Sequence, residues 1–255
     1  MDRAQSTNGM NVLPTRLLYA IIMLLAIMSE LMLVQKRQQR LTLNDQQRVT
    51  IGLSAFLGAM LGAKLPFLLD RDWSGVVSPT LWLSDGKTIL GGIFGGYVAV
   101  EVAKRICSIH VKTGDSFALP MAVSVAIGRI GCFVAGCCFG CVTEFPLGMR
   151  FDVAKDPDGL CRHPTQLYEC AFHLLCAIFI VVAEKYKWMK GNRLKVYLLC
   201  YLLYRFVTEW IRPEPITSIG LTTYQVACLV LATCLIGLWL SEQANSDRVQ
   251  VPFRN

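Results

Sequence analysis

The chain has 255 residues, 54% of them hydrophobic and only 17% charged, with a formal net charge of +7. An ordinary soluble domain is about 25% charged, so this composition argues against a soluble globule, a disordered chain and a nucleic-acid binder. The basic residues fall in short runs between apolar stretches, as in the loops of membrane proteins.

A membrane-spanning helix needs about 20 mostly apolar residues. Seven stretches qualify in chain order: 13–34, 49–69, 88–109, 117–136, 167–183, 194–211 and 221–240. The first carries no small-residue cleavage site and reads as retained. The third is rich in glycine (Gly91, Gly92, Gly95, Gly96), which favours close helix packing in a bilayer. The fourth and sixth carry charges. The expected fold is therefore all-α, a seven-helix polytopic membrane protein, with residues 1–255 forming one membrane domain. Loops 35–48, 104–115 and 184–195 and the C-terminal tail hold fourteen Lys and Arg, against eight on the opposite side. The positive-inside rule then puts the N-terminus outside and the C-terminus in the cytoplasm, with the long loops 70–87 and 141–166 outside.

Charged residues inside apolar segments are costly and need a reason, at about 2.5–3.5 kcal/mol each on insertion scales. Glu30, Glu101 and Glu169 are most simply read as interfacial, and Lys64 as snorkelling. Arg129 is different, because it sits mid-segment between Gly128 and Gly131, where the backbone admits close approach. Arg205, Glu209 and Arg212 are spaced i, i+4, i+7 and share one helical face. That face is either a self-satisfied ion-pair stripe or an anion site. Arg129 and Arg205 together could clamp an anion through bidentate guanidinium contacts, and the abundant anion of a bilayer is a phospholipid head group. Between segments four and five, Arg162, His163, Gln166, Tyr168 and Glu169 crowd polar capacity at a membrane boundary, beside Pro164 at a position suited to a helix start.

Of eleven cysteines, Cys107, Cys170, Cys176, Cys200, Cys228 and Cys234 lie in apolar runs and behave as small hydrophobes. Cys132, Cys137, Cys138 and Cys141 fall within ten residues, with Cys161 beyond them. Cys138-x-x-Cys141 has the spacing of zinc ligands and of a thiol–disulfide pair, and Cys161 and His163 could complete a site. An oxidising outer compartment would favour at least one disulfide among Cys137, Cys138, Cys141 and Cys161. Zinc ligation, disulfide formation and plain packing all remain open at this stage.

Three stretches together resemble the prolipoprotein diacylglyceryl transferase family. They are Gly128-Arg129-Ile130-Gly131-Cys132-Phe133 through Gly140, Arg162-His163-Pro164-Thr165-Gln166-Leu167-Tyr168-Glu169, and Tyr204-Arg205-Phe206-Val207-Thr208-Glu209 followed by Arg212-Pro213. A weaker fourth match runs from Phe56 through Gly62 and Lys64 to Gly91-Gly92. The resemblance implies a multi-pass enzyme of the bacterial cytoplasmic (inner) membrane, without metal or organic cofactor. It would transfer the diacylglyceryl group of phosphatidylglycerol to the lipobox cysteine of a preprolipoprotein and release glycerol-1-phosphate. It implies phosphatidylglycerol binding at Arg129, an essential positive charge at Arg205, and Glu209 beside it. Gly128, Gly131, Arg162, Gln166, Tyr168 and Glu169 are the further candidates for substrate binding, and Arg205, Glu209 and His163 for catalysis.

The family's usual Asn, Glu and His are replaced here by Cys132, Cys137 and Leu90, and a usual Arg by Lys64. Proton handling then falls to Glu209, His163 or a thiolate of the cysteine cluster. The competing readings are a phospholipid-using transferase with another acceptor, a thiol-redox or metal protein built on the Cys132–Cys141 cluster, and a transporter. The chain lacks the inverted halves of the last.

Overall fold

The structure, a computed structural model, describes residues 8–69, 88–151, 156 and 158–249. Among them are seven α-helices and no strand: α1 (Asn8–Gln38), α2 (Asp45–Leu69), α3 (Ile89–Ile106), α4 (Gly114–Ala135), α5 (Thr165–Lys185), α6 (Arg193–Thr208) and α7 (Thr223–Val249). A 3-10 turn, Glu209–Ile211, follows α6 directly. Each of the seven apolar stretches has become a helix, and the all-α expectation holds. Loop 70–87, expected outside the membrane, lies beyond the described residues.

Five helices are long and apolar enough to cross a membrane: α1, α2, α4, α5 and α7. The other two fall short for identifiable reasons. α3 has 18 residues and carries Glu101, Lys104 and Arg105. α6 has 16 residues, a rise of about 24 Å, and includes Arg193, Lys195 and Arg205.

The chain divides into two compact units, Arg37–Lys112 on the one hand and Met1–Lys36 with Thr113–Asn255 on the other. In the first, α2 and α3 pack with backbones in close approach. A Cβ added to Gly62 would stand 2.3 Å from the Gly91 carbonyl oxygen, and one added to Gly95 would stand 2.3 Å from that of Gly58. Only glycine fits at such a crossing, which is the role expected of the third segment. Thr88 caps α3 by accepting a hydrogen bond from the Gly91 N–H at 3.1 Å. Lys64, read as snorkelling, is instead buried.

In the second unit, α4 packs on α5 and α6 on α7. Its polarity is the reverse of a water-soluble bundle. Leu17, Leu24 and Leu31 of α1, Leu175 and Ile178 of α5, and Val230 of α7 are exposed, while Arg129, Glu169, His173, Arg205 and Glu209 are buried. An apolar exterior with polar groups gathered inside is what a hydrocarbon solvent selects. Asp115, in the first turn of α4, accepts hydrogen bonds from the backbone N–H groups of Gly191 (2.6 Å) and Arg193 (2.9 Å) and so pins the α5–α6 turn. The opposite ends of these helices meet at the polar cluster.

Candidate active site

The three motifs lie far apart in sequence, and backbone hydrogen bonds join them beyond the end of α4. Gly136 ends α4 in the left-handed conformation (φ 63°), the usual way a glycine closes a helix. The chain then runs past two other segments. The Gly140 N–H donates to the His163 carbonyl (2.8 Å), the His163 N–H to the Cys141 carbonyl (3.1 Å), and the Cys141 N–H to the Ile211 carbonyl (2.8 Å). Thr165 Oγ1 donates to the Cys138 carbonyl at 2.6 Å, and Gln166 Nε2 to that of Cys137. Gly140 sits where these strands of chain touch. An added Cβ there would lie 2.5 Å from the Ile211 carbonyl oxygen and 2.9 Å from side-chain atoms of His163 and Thr165. Gly140→Ala is therefore expected to cost about 1–3 kcal/mol through overpacking. A lowered thermal midpoint in detergent checks it.

Glu169, one turn into α5, is the hub of the cluster and is fully buried. Its Oε1 accepts from Arg129 Nη2 at 2.6 Å and from the Tyr201 hydroxyl at 3.0 Å. Its Oε2 accepts from Arg212 Nη2 at 2.8 Å. His173, one turn further along α5, lies 3.9 Å from Oε1 through Nε2, and its Nδ1 is 2.9 Å from the Tyr197 hydroxyl. The interfacial reading of Glu169 is thus replaced by a buried ionic role. The other interior acids differ from it: Glu30 accepts from Ser124 at 3.0 Å, and Glu101 pairs with Lys104 at 3.0 Å.

A second pair stands at the end of α6. Arg205 Nη2 is 2.9 Å from Glu209 Oε2, and Glu209 Oε1 accepts from Thr222 Oγ1 at 3.0 Å. The Arg205 guanidinium lies 4.7 Å from the centre of the Tyr224 ring, a cation–π contact. Three buried guanidinium groups therefore share two buried carboxylates. One nitrogen of each arginine, namely Arg129 Nε, Arg205 Nη1 and Arg212 Nε, is buried without a hydrogen-bond partner. Burial pushes the Arg212 guanidinium below its ordinary range, Arg205 and Arg129 push the same way, and Glu169 opposes them. An uncompensated positive site of this kind is suited to an anion.

The remaining expected site residues are placed around this centre and not all at it. His163 Nδ1 is 3.3 Å from the Tyr168 hydroxyl. Arg162 is committed elsewhere. Its Nε and Nη2 donate to Asp156 at 2.7 and 2.9 Å, Nη2 also reaches Asp158 at 3.2 Å, and its guanidinium lies 5.2 Å from the Phe139 ring centre. The Asp156 hydrogen bonds, with the charges of Asp156 and Asp158, hold Arg162 above its ordinary range. Gly128 and Gly131 face α1: a Cβ on Gly131 would lie 3.2 Å from Ile22 Cγ2, and one on Gly128 would lie 3.9 Å from Met23 Sδ.

All eleven cysteines are free, so the expected disulfide is not present. The thiols that converge are Cys132, Cys137 and Cys138, not Cys138, Cys141 and Cys161. Cys141 is drawn away by its backbone bonds to Ile211 and His163. Tyr197, Tyr201 and His173 are members of the cluster that the sequence reading did not single out. His173 carried a usable signal, since it lies four residues after Glu169 on one helical face.

The chain as a whole is similar to known proteins. Residues 13–241 match the family described as prolipoprotein diacylglyceryl transferase. The phosphatidylglycerol–prolipoprotein diacylglyceryl transferase of Clostridium tetani (strain Massachusetts / E88) is 28% identical over 227 residues, which is 87% of this chain and 90% of that protein. The protein of the same name from Nitratidesulfovibrio vulgaris (strain DP4) is 33% identical over 201 residues, 72% of each chain. A second such transferase, from Clostridium perfringens (strain 13 / Type A), is 27% identical over 80% of this chain and 81% of its own length.

Proposed function

The chain belongs to the prolipoprotein diacylglyceryl transferase family, and from that premise we propose that it moves the diacylglyceryl group of phosphatidylglycerol onto the cysteine thiol of a prolipoprotein, with release of glycerol-1-phosphate. The observation that carries the proposal is the surplus of positive charge: three arginine side chains no more than 8% exposed, two carboxylates, and an unpartnered nitrogen on each guanidinium. A phosphodiester supplies one negative charge and acceptor oxygens for those donors. As the glyceryl C–O bond breaks, charge builds on the departing phosphate. Donors already fixed in a water-poor site stabilise that charge without reorganising.

Arg129 and Arg205 hold the phosphate, and Glu169 and Glu209 position them. Gly128 and Gly131 keep α4 slim beside α1, where the acyl chains pass. Arg162, Gln166 and Tyr168 hold the loop that receives the acceptor. The acceptor thiol must lose its proton, for which His163 and Glu209 are the candidate bases. Phosphatidylglycerol, the prolipoprotein and the bilayer are thus the partners. The experiment is reconstitution in phosphatidylglycerol vesicles with a lipobox peptide. Glycerol-1-phosphate is expected with a cysteine peptide and not with its serine analogue; release from both, or from neither, counts against the proposal.

The proposal includes a bacterial inner-membrane location, seven spans forming one membrane domain, an outer N-terminus and a cytoplasmic C-terminus. The excess of Lys and Arg on loops 35–48, 104–115 and 184–195 supports this orientation. It places the arginine cluster toward the outer face. A reporter fused after Lys190 is expected to read as cytoplasmic and one after Asp156 as external. The reverse pattern would invert the site.

A further inference from the structure

Three thiols gather beside the arginine cluster, and the functional proposal does not use them. The Sγ atoms of Cys132, Cys137 and Cys138 all lie within 4.8 Å of one another. Those of Cys137 and Cys138 are 3.7 Å apart. Sulfurs on a tetrahedral zinc ion, each about 2.3 Å from the metal, stand about 3.8 Å from one another. The convergence is built by the backbone. Cys132 occupies the last turn of α4, Gly136 turns the chain left-handed, and Cys138 itself has a φ of 62°, unusual for a residue with a side chain. Thr165 and Gln166 hold that turn by donating to the carbonyls of Cys138 and Cys137. Such a conformation persists only where its surroundings over-determine it, and it occurs often at ligand sites.

We propose that Cys132, Cys137 and Cys138 form a three-thiolate site for a soft divalent cation of the zinc class, whose open fourth position takes the thiol that is to be alkylated. The first half stands on the geometry alone, and the second rests on the functional reading above. Cys138 is exposed and the other two are half-buried, so the fourth position is reachable from outside. Cys132 is one helical turn from Arg129, which puts the metal on the phosphate side of α4.

A coordinated thiol is deprotonated outright, and its proton passes to solvent. A sulfur lone pair then forms the new S–C bond to the glyceryl carbon. The C–O bond breaks and its electron pair leaves with the phosphate. Nothing is oxidised or reduced, and the thioether, a weaker ligand than a thiolate, frees the site. The metal thus supplies the activation that a general base would otherwise provide.

The test uses the purified, reduced full chain. It is loaded with zinc chloride, freed of excess metal and analysed for metal content. One zinc per chain is expected, with retention falling more than about tenfold in Cys138→Ser and Cys137→Ser. It should be unchanged in Cys234→Ser, which alters an exposed cysteine of α7 that is not one of the three converging thiols. Cobalt in place of zinc should give thiolate-to-metal absorption that the cluster variants lose. Removal of zinc by a chelator should lower lipid transfer to the peptide, and added zinc should restore it. Failure to retain zinc overturns the proposal, as does equal transfer by zinc-loaded and zinc-free protein. Zinc bound as described without transfer in either form overturns the functional reading and the activating role, and leaves the metal site standing.

Discussion

Arg129→Ala and Arg205→Ala will each lower diacylglyceryl transfer by at least about 100-fold while the protein still inserts and accumulates. Losing one well-placed donor to a developing negative charge costs on the order of 100- to 1,000-fold. These donors lie in a buried site, 6% and 5% exposed, where screening by water is weak. The fold should survive Arg129→Ala because Glu169 keeps two other partners, Arg212 at 2.8 Å and Tyr201 at 3.0 Å. Arg205→Ala leaves Glu209 its bond from Thr222. Arg129→Lys should recover little, since an ammonium cannot engage a carboxylate and a phosphate through separate guanidinium edges. Transfer measured on matched amounts of membrane-inserted protein checks the pair. Near-normal turnover in both alanine variants would place the phosphate elsewhere.

Glu169→Gln should damage stability more than either arginine change. The carboxylate is fully buried and is shared by Arg129 and Arg212. Removing one partner of a buried ion pair typically costs about 3–5 kcal/mol, because the surviving charge is left without compensation. Here two guanidinium groups lose their common counter-charge at once. Unfolding in detergent should occur at a clearly lower temperature, with transfer lost as well. Combining Glu169→Gln with Arg212→Ala should recover part of that stability, since one of the stranded charges goes with it. Contacting residues commonly show such non-additivity, at about 0.5–3 kcal/mol. Strict additivity would mean that Glu169 and Arg212 are energetically independent despite their contact.

Much of the fold could be read from the chain, since apolar stretches near 20 residues have few structures open to them in lipid. Their ends were less legible. α4 begins at Gly114 and α6 at Arg193, where Asp115 accepts from the Gly191 and Arg193 N–H groups, and α6 stops at Thr208, where the 3-10 turn Glu209–Ile211 takes over. Within the site, the Arg205–Glu209 pair was visible as an i, i+4 spacing. The Arg129–Glu169 pair joins residues forty positions apart, and no local period announces it. Glu169 looked like an interfacial acid because it stands near the start of its apolar stretch, 167–183. Its actual partners come from α4, α6 and the segment after the 3-10 turn. The cysteines were misgrouped for a related reason. Spacing favoured Cys138 with Cys141, whereas the left-handed turns at Gly136 and Cys138 fold the thiols back toward Cys132.

The most direct test is mass analysis of a synthetic lipobox peptide after incubation with the purified protein and phosphatidylglycerol. The account predicts a peptide heavier by one diacylglyceryl group on its cysteine sulfur, resistant to base as a thioether is, and absent when Arg129→Ala replaces the native chain. An unmodified peptide with the native protein, or an adduct of equal yield from Arg129→Ala, would contradict it.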